Sequence, residues 1–123
     1  VLRALECRWV DVLGHPTGRR LLQREGIRLR MDDVVTAATK AGVAFEINSQ
    51  VERLDLNDSH VKLALDKGAR LVVSSDAHFV SALDWVQWGI RMARRGWATR
   101  EDILNTRSLA DLQPMLRRHR GAA

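Results

Sequence analysis

The sequence predicts an α/β fold in which parallel strands alternate with helices. Three short apolar runs of strand length, at residues 9–13, 43–47 and 70–73, are rich in β-branched or aromatic side chains. The second and third runs each follow a helical pattern that stops at a glycine, Gly42 or Gly68. Helix–strand alternation of this length is typical of a parallel sheet with helical crossovers, either an open sheet or part of a barrel.

Capping residues predict where the helices begin. Asp32 precedes an apolar helical pattern and is predicted to cap the helix that stops at Gly42. Thr99 and Ser108 each precede an acid by three residues, which is a loose form of the capping box and predicts two further helix starts.

A longer helix is predicted for residues 81–95. Its apolar side chains fall near one face, and we interpret the accompanying aromatic and methionine side chains as packing residues. The predicted face contains Leu83, Val86, Ile90 and Ala93, with Trp85, Trp88 and Met92 beside it.

The composition indicates one small domain with a basic surface. The chain has 123 residues, of which 46% are hydrophobic and 28% charged. No apolar run approaches the roughly 18–20 residues of a membrane span, and the N-terminus does not resemble a signal peptide, so we expect no membrane partner. A single cysteine, Cys7, excludes an internal disulfide and fits the reducing cytoplasm; we expect its thiol to be partly buried. The net charge of +5 favours anionic partners.

Polar side chains capable of chemistry stand at the end of all three predicted strands. Because the carboxyl ends of parallel strands meet at one edge of a sheet, we expect these side chains to converge. Packing alone does not explain them, since buried polar groups are costly unless they are paired. They are His15 and Arg19 after the first strand, Glu46 and Asn48 at the second, and Asp76 and His78 after the third.

The types of these residues predict a divalent metal site. Imidazole and carboxylate suit Zn²⁺, Mn²⁺ or Fe²⁺, and side chains two residues apart in an extended segment, such as Asp76 and His78, point the same way. We therefore predict that His15, Asp76 and His78 bind metal. Arg19 is placed to neutralise a phosphate, and Glu46 either enters the site or supports a neighbour.

Three ligands are fewer than a catalytic centre with several metal ions needs. Either the site is incomplete in these 123 residues, or the missing ligands lie upstream of Val1. The remaining histidines do not help, because His60 is predicted to start a helix and His119 lies in an arginine-rich segment. We expect both of them to be solvated.

Four stretches resemble, in this order, the last part of the PHP (polymerase and histidinol phosphatase) domain. They are DVLGHPTGRRLL, FEINSQVERLDLND, LVVSSDAH and GIRMARRGWATREDILNT. The resemblance covers about residues 10–117 and is closest to the version at the C-terminal end of bacterial family X DNA polymerases. It implies a distorted (β/α)₇ TIM-like barrel, of which residues 1–123 would form a C-terminal fragment of about three strand-and-helix units. The upstream barrel strands and a polymerase module would precede Val1.

The resemblance also implies a function. In the polymerase-linked branch the domain is a phosphoesterase that uses up to three Mn²⁺ or Zn²⁺ ions and acts on DNA 3′ ends, as a 3′–5′ exonuclease and 3′-phosphatase in base-excision repair. We expect the isolated fragment to be inactive, because the family's other ligand motifs lie upstream. The implied metal ligands are His15, Asp76 and His78, the implied catalytic residue is Arg19, and the implied substrate-binding residues are Thr17, Glu46, Asn48 and Arg53.

Two other functions fit the same residues. One is a free-standing PHP phosphatase that acts on a small phosphomonoester such as histidinol phosphate. The other is a metal-free remnant that binds DNA through its arginines, with strongly salt-dependent affinity. A partial barrel would leave an edge strand unpaired, so we also expect self-association into a dimer or higher oligomer.

Overall fold

A computed structural model describes residues 1–116 of the chain. Within them, three strands and five helices form a mixed α/β fold. The strands are β1 (Val12–Leu13), β2 (Ala44–Asn48) and β3 (Leu71–Ser74). The helices are α1 (Leu2–Leu5), α2 (Met31–Ala41), α3 (Asp58–Asp66), α4 (Val86–Arg95) and α5 (Leu109–Leu112). Short 3₁₀ segments lie at Val80–Trp85, Arg100–Asp102, Leu104–Thr106 and Gln113–Met115.

The three strands form one parallel sheet in the order β1-β2-β3. The predicted α/β class with a parallel sheet is therefore confirmed. β1 is shorter than the predicted run of residues 9–13, because the chain turns just before it, where the Val10 N–H donates to the Cys7 carbonyl at 3.1 Å. Trp9 is 67% exposed, and Cys7 is exposed rather than partly buried as expected.

Helices α2 and α3 end just before the glycines that the sequence predicted, whereas α2 does not begin at its predicted capping residue. Gly42 and Gly68 adopt positive φ angles of 70° and 74°, which side chains with a Cβ disfavour. The prediction that Asp32 caps α2 is wrong: the helix begins one residue earlier, and Asp32 lies in the first turn, where its charge favours the helix dipole.

The two other predicted capping residues do start elements. The Thr99 N–H and hydroxyl both donate to the Asp102 carboxylate at 2.8 Å, although the segment that follows is a short 3₁₀ turn. The Ser108 hydroxyl accepts from the Asp111 N–H at 3.2 Å and begins α5.

The core lies between the sheet and the helices. β2 is the central strand, and its Phe45 and Ile47 side chains are fully buried. Leu71 of β3, Val35 of α2 and Val61 of α3 are fully buried with them. Neighbouring strands on both sides hold β2 in place, so its carboxyl end provides a fixed point for the loops around it.

α4 differs from the helix predicted for residues 81–95. The first part, Val80–Trp85, is a 3₁₀ segment, and the residues that face the core are Ala82, Gly89 and Ala93. The helix packs closely against its neighbours because the side chains on its buried face are small. A Cβ added to Gly89 would lie 2.0 Å from Ser49 Oγ.

The predicted apolar face of that helix is mostly wrong. Leu83 is 59% exposed, and Val86 and Ile90 are also exposed, whereas Ala93 is buried as predicted. Trp88 does not pack inside either; its ring is covered by the Arg91 guanidinium, 4.7 Å from the ring centroid.

The outer edge of β3 is covered by the segment that follows α4. Ile103 forms a parallel bridge with Leu71, and the Asn105 side-chain amide pairs with both backbone groups of Val73, at 2.8 and 3.0 Å. These contacts protect the edge from pairing with another chain. No helix in residues 1–116 has the length and apolar character that crossing a bilayer requires.

Candidate functional site

The loops that follow the three strands meet at one cavity. Parallel strands bring their carboxyl ends to the same edge, so residues distant in sequence become neighbours there. The cavity has a volume of about 440 Å³. Its lining residues are His15, Arg20, Gln50, Glu52, Arg53, Asp76, His78, Phe79 and Trp85. The structure thus brings the three predicted metal ligands, and Arg53 among the predicted substrate-binding residues, to one cavity.

Glu46 connects the three strand ends. One carboxylate oxygen accepts from the His15 backbone N–H, and the other accepts from the Ser74 hydroxyl. Of the two roles that the sequence left open, the structure therefore places Glu46 as a support for its neighbours. A direct role in substrate binding stays a prediction.

Asn48 positions the Asp76 carboxylate. The Asn48 side chain is fully buried, and its Nδ2 donates to Asp76 Oδ2 at 3.0 Å. Its Oδ1 accepts from the Gln50 N–H at 3.0 Å, which fixes the orientation of the amide. Gln50 in turn donates through Nε2 to the Asp76 carbonyl at 3.0 Å. The predicted substrate-binding residue Asn48 therefore acts on Asp76 in this structure.

We call residues 75–79 the β3 loop. Asp76 and His78 do not follow the side-chain alternation of an extended strand there. Asp76 has a positive φ angle of 50°, so the extended conformation ends before it. His78 Nδ1 lies 2.7 Å from the Asp76 carbonyl oxygen. Because a carbonyl only accepts, Nδ1 carries a proton in this contact, and Nε2 is the ring nitrogen that remains for a ligand.

The segment of residues 14–20, which we call the β1 loop, is anchored by a residue that sequence reasoning missed. Asp55 is fully buried, and its Oδ2 accepts from the backbone N–H groups of Thr17 and Gly18 at 3.0 and 2.9 Å. Both bonds are charge-assisted and join positions 37 and 38 residues apart. The only sequence signal was an acid between two leucines, Leu54 and Leu56.

Arg19 and Thr17 are placed as structural residues of the same loop. The Arg19 guanidinium donates to the carbonyl of Arg53 at 2.7 Å and to that of Leu54. Thr17 is buried, and its hydroxyl accepts from the Arg19 N–H at 3.3 Å. Neither side chain lines the cavity, and Arg20 and Arg53 are the arginines that do. The catalytic role of Arg19 and the substrate role of Thr17 stay predictions.

His60 is not solvated as expected. It is half-buried, and its Nδ1 is enclosed without a hydrogen-bond partner among the described residues. Burial lowers the pKa of this imidazole below its usual 6.5; the negative charge of Asp55 opposes that change and the positive charge of Arg19 adds to it. His60 therefore lies within electrostatic reach of Asp55 and Arg19, the two charged residues that hold the β1 loop. His119 lies outside the described residues.

The donor types around the cavity suit a divalent metal, but the described residues do not complete a site. Imidazole nitrogen and carboxylate oxygen are present in His15, Asp76 and His78. Among residues 1–116, however, no three His, Cys, Asp or Glu side chains lie close enough together to hold one ion. These residues can therefore supply single ligands, and the predicted metal site stays a prediction.

Comparison with known proteins identifies a related region in one larger protein. The chain is 38% identical over 116 residues to the DNA polymerase/3′-5′ exonuclease PolX of Bacillus subtilis (strain 168). The alignment covers 94% of this chain and 20% of that relative, so the chain spans about a fifth of the relative's length. No family model matches the chain. The chain is thus related to one region of a PolX protein.

Proposed function

We propose that this chain is part of a PHP-type, metal-dependent phosphoesterase domain that acts on DNA 3′ ends. In this proposal the sheet is the last part of a distorted (β/α)₇ barrel, and the domain belongs to a repair polymerase of family X. The relative is named as both a DNA polymerase and a 3′–5′ exonuclease, and this supports DNA as the substrate class. The observation that carries the proposal is the convergence of His15, Asp76 and His78 on one cavity that two arginines also line.

The metal ligands would be His15, Asp76 and His78, together with residues outside this set. When bound, divalent ions supply positive charge and Lewis acidity for the attack of water on a phosphoester. The chain's own contribution is to orient the ligands. Asn48 holds one oxygen of Asp76, and the Nδ1–H of His78 is engaged by a carbonyl, which directs ligation to Nε2.

Arg53 and Arg20 would bind the phosphate. A guanidinium presents several N–H donors in a plane and matches phosphate oxygens, which makes it suited to this task. Arg20 is held by Glu52 at 2.6 Å in a half-exposed ion pair. Arg53 has no ion-pair partner among residues 1–116. Arg53 is therefore the arginine whose charge is available to a ligand.

The proposed reaction is hydrolysis. The oxygen of water forms a bond to phosphorus, the bond from phosphorus to the leaving oxygen breaks, and the leaving oxygen takes a proton. In a 3′-phosphatase the products are a 3′-hydroxyl and inorganic phosphate, whereas in a 3′–5′ exonuclease the product is the terminal nucleotide.

The test is hydrolysis by the natural protein that contains these residues. We expect Mn²⁺- or Zn²⁺-dependent release of phosphate or nucleotide from the 3′ end of an oligonucleotide, and a loss of at least about 100-fold on Asp76→Ala or His15→Ala. Asp66→Ala is the matched control, because Asp66 is exposed on α3 and its ion-pair partner among residues 1–116 is Lys62. Full activity after replacement of both Asp76 and His78 would contradict the proposal.

The same assay separates the two alternative functions. A phosphatase for small phosphomonoesters would hydrolyse histidinol phosphate and ignore DNA ends. A metal-free DNA-binding remnant would bind DNA with strong salt dependence, and a chelator would leave that binding unchanged.

A further inference from the structure

Two aromatic rings form one wall of the cavity that holds the predicted metal ligands. Phe79 and Trp85 both line it, with ring centroids 5.4 Å apart and planes at 86°. They stand at the two ends of one short 3₁₀ segment, which begins after Phe79 and finishes at Trp85. Phe79 is 56% exposed, whereas Trp85 is half-buried, so Trp85 supports the more open Phe79 ring from one side.

The chemistry beside this wall is cationic. Arg53 and Arg20 line the same cavity, and Arg53 has an enclosed Nε without a hydrogen-bond partner among the described residues. An apolar ring face next to a guanidinium matches a nucleotide, whose base stacks on aromatic rings and whose phosphate binds arginine. The matching ligand is thus one nucleotide rather than a phosphate alone.

We propose that the Phe79–Trp85 wall stacks against the unpaired base of the terminal nucleotide while Arg53 binds its phosphate. This inference rests on the proposed function and adds the side chains that recognise the terminal base. The volume of about 440 Å³ lies at the lower end of the range of roughly 300–1,000 Å³ for pockets that enclose a small ligand. Such a cavity takes one nucleotide and not a base pair, so a paired terminal base has to leave its partner before it enters. The site therefore selects single-stranded or frayed 3′ ends over paired ones.

The test compares a protein change with a matching change in the DNA. Binding is measured by fluorescence anisotropy in a chelator-containing buffer, which prevents metal-dependent hydrolysis. The probes are a single-stranded oligonucleotide, the same oligonucleotide lacking its 3′-terminal base, and the corresponding blunt duplex. The variant is Phe79→Leu, which keeps an apolar side chain against Trp85 but removes the ring face. Trp97→Ala is the control, because Trp97 is 78% exposed and does not line this cavity.

We expect the wild-type protein to bind the complete single strand about tenfold more tightly than the one lacking the terminal base. Phe79→Leu should lose about the same factor on the complete strand and should no longer distinguish the two strands. The blunt duplex should bind weakly to both proteins, and Trp97→Ala should behave as wild type.

Wild-type affinity of Phe79→Leu, with the base preference retained, would overturn the inference. Circular dichroism of the variant checks that it folds, and Phe79→Tyr, which keeps the ring, should bind as wild type. The proposed function is judged separately, because metal-dependent hydrolysis lost on Asp76→Ala would stand even if base stacking failed. Absence of any DNA-end binding would overturn the inference alone.

Discussion

The β1 loop and the β3 loop reach the same cavity but are held by different interactions. The β1 loop rests on charged groups: the buried Asp55 accepts from two of its N–H groups, and Arg19 donates to the carbonyls of Arg53 and Leu54. The β3 loop rests on the neutral amides of Asn48 and Gln50, and its last two residues, His78 and Phe79, are exposed. The two halves of the site therefore differ in their support, which is charged in one loop and neutral in the other.

The difference in support also suggests a division of labour. A loop held by a buried carboxylate and a guanidinium keeps its geometry, which suits the role of metal ligand that we propose for His15. A loop held by neutral amides suits contact with a substrate that arrives and leaves. Phe79 and His78, both exposed, lie in that second loop.

Removal of the carboxylate that supports the β1 loop and of the one in the β3 loop should give the largest difference in stability. Asp55→Ala leaves two backbone N–H groups without their charged acceptor, so we expect the free energy of unfolding to fall by about 3 kcal/mol. Asp76→Ala removes a half-buried group bound by one amide and should cost about 1 kcal/mol or less. Urea denaturation measures both. Equal destabilisation by the two changes would contradict the proposed difference between the loops.

Replacement of Arg19 sharpens the comparison and tests its predicted catalytic role. Arg19→Ala should lower the free energy of unfolding by about 2 kcal/mol, because two carbonyls lose a charged donor. Arg20→Ala, which removes a half-exposed ion pair, should cost below about 1 kcal/mol.

Kinetics separate the two roles of Arg19. If the guanidinium acts only as a support, Arg19→Lys should recover part of both stability and hydrolysis. A variant with unchanged stability and lost hydrolysis would instead favour direct action on the phosphate, as the sequence suggested.

The smallest expected effect is on the pH dependence of stability and arises from the half-buried His60. Burial lowers the pKa of His60 in the folded chain below its usual 6.5. The unfolded chain therefore binds more protons between these two pKa values, and stability falls as the pH drops below about 6.5. His60→Gln should remove that part of the slope in urea midpoints measured between about pH 5 and pH 8. An unchanged slope would show that burial of His60 does not couple to folding.

The sequence predicted the convergence at the cavity because that convergence depends only on topology. Apolar runs followed by His15, Asn48 and Asp76, together with helix stops at Gly42 and Gly68, are sufficient to place polar strand ends at one edge. Parallel connection then follows from the length of the helices between the strands. These predictions are confirmed because the apolar pattern of a strand and the glycine that ends a helix are both encoded locally in the sequence.

The sequence did not predict which side chains support the site. Asp55 binds partners 37 and 38 residues away, and no local pattern encodes a contact of that length. Arg19 has a long side chain, so spacing alone does not decide between a phosphate and a carbonyl as its partner. Asp76 leaves the extended conformation, so alternation failed to give its direction.

The predicted face of α4 failed for a different reason. The apolar pattern predicted that large side chains face the core, whereas the helix contacts the sheet through Gly89 and Ala93. Close packing of backbone against Ser49 and Val73 leaves no room for a larger residue there. Large residues such as Leu83 and Ile90 consequently point outward.

The proposal that His15, Asp76 and His78 belong to a metal site is tested most directly by Mn²⁺ titration followed by NMR of the histidine rings. Paramagnetic broadening detects even weak, incomplete ligation and falls off steeply with distance, so His60, which does not line the cavity, provides the comparison. We expect the His15 and His78 ring signals to broaden at lower Mn²⁺ concentrations than the His60 signal, and Asp76→Ala to weaken that broadening. Equal broadening of His60, or no broadening of His15 and His78, would contradict a metal site at these strand ends.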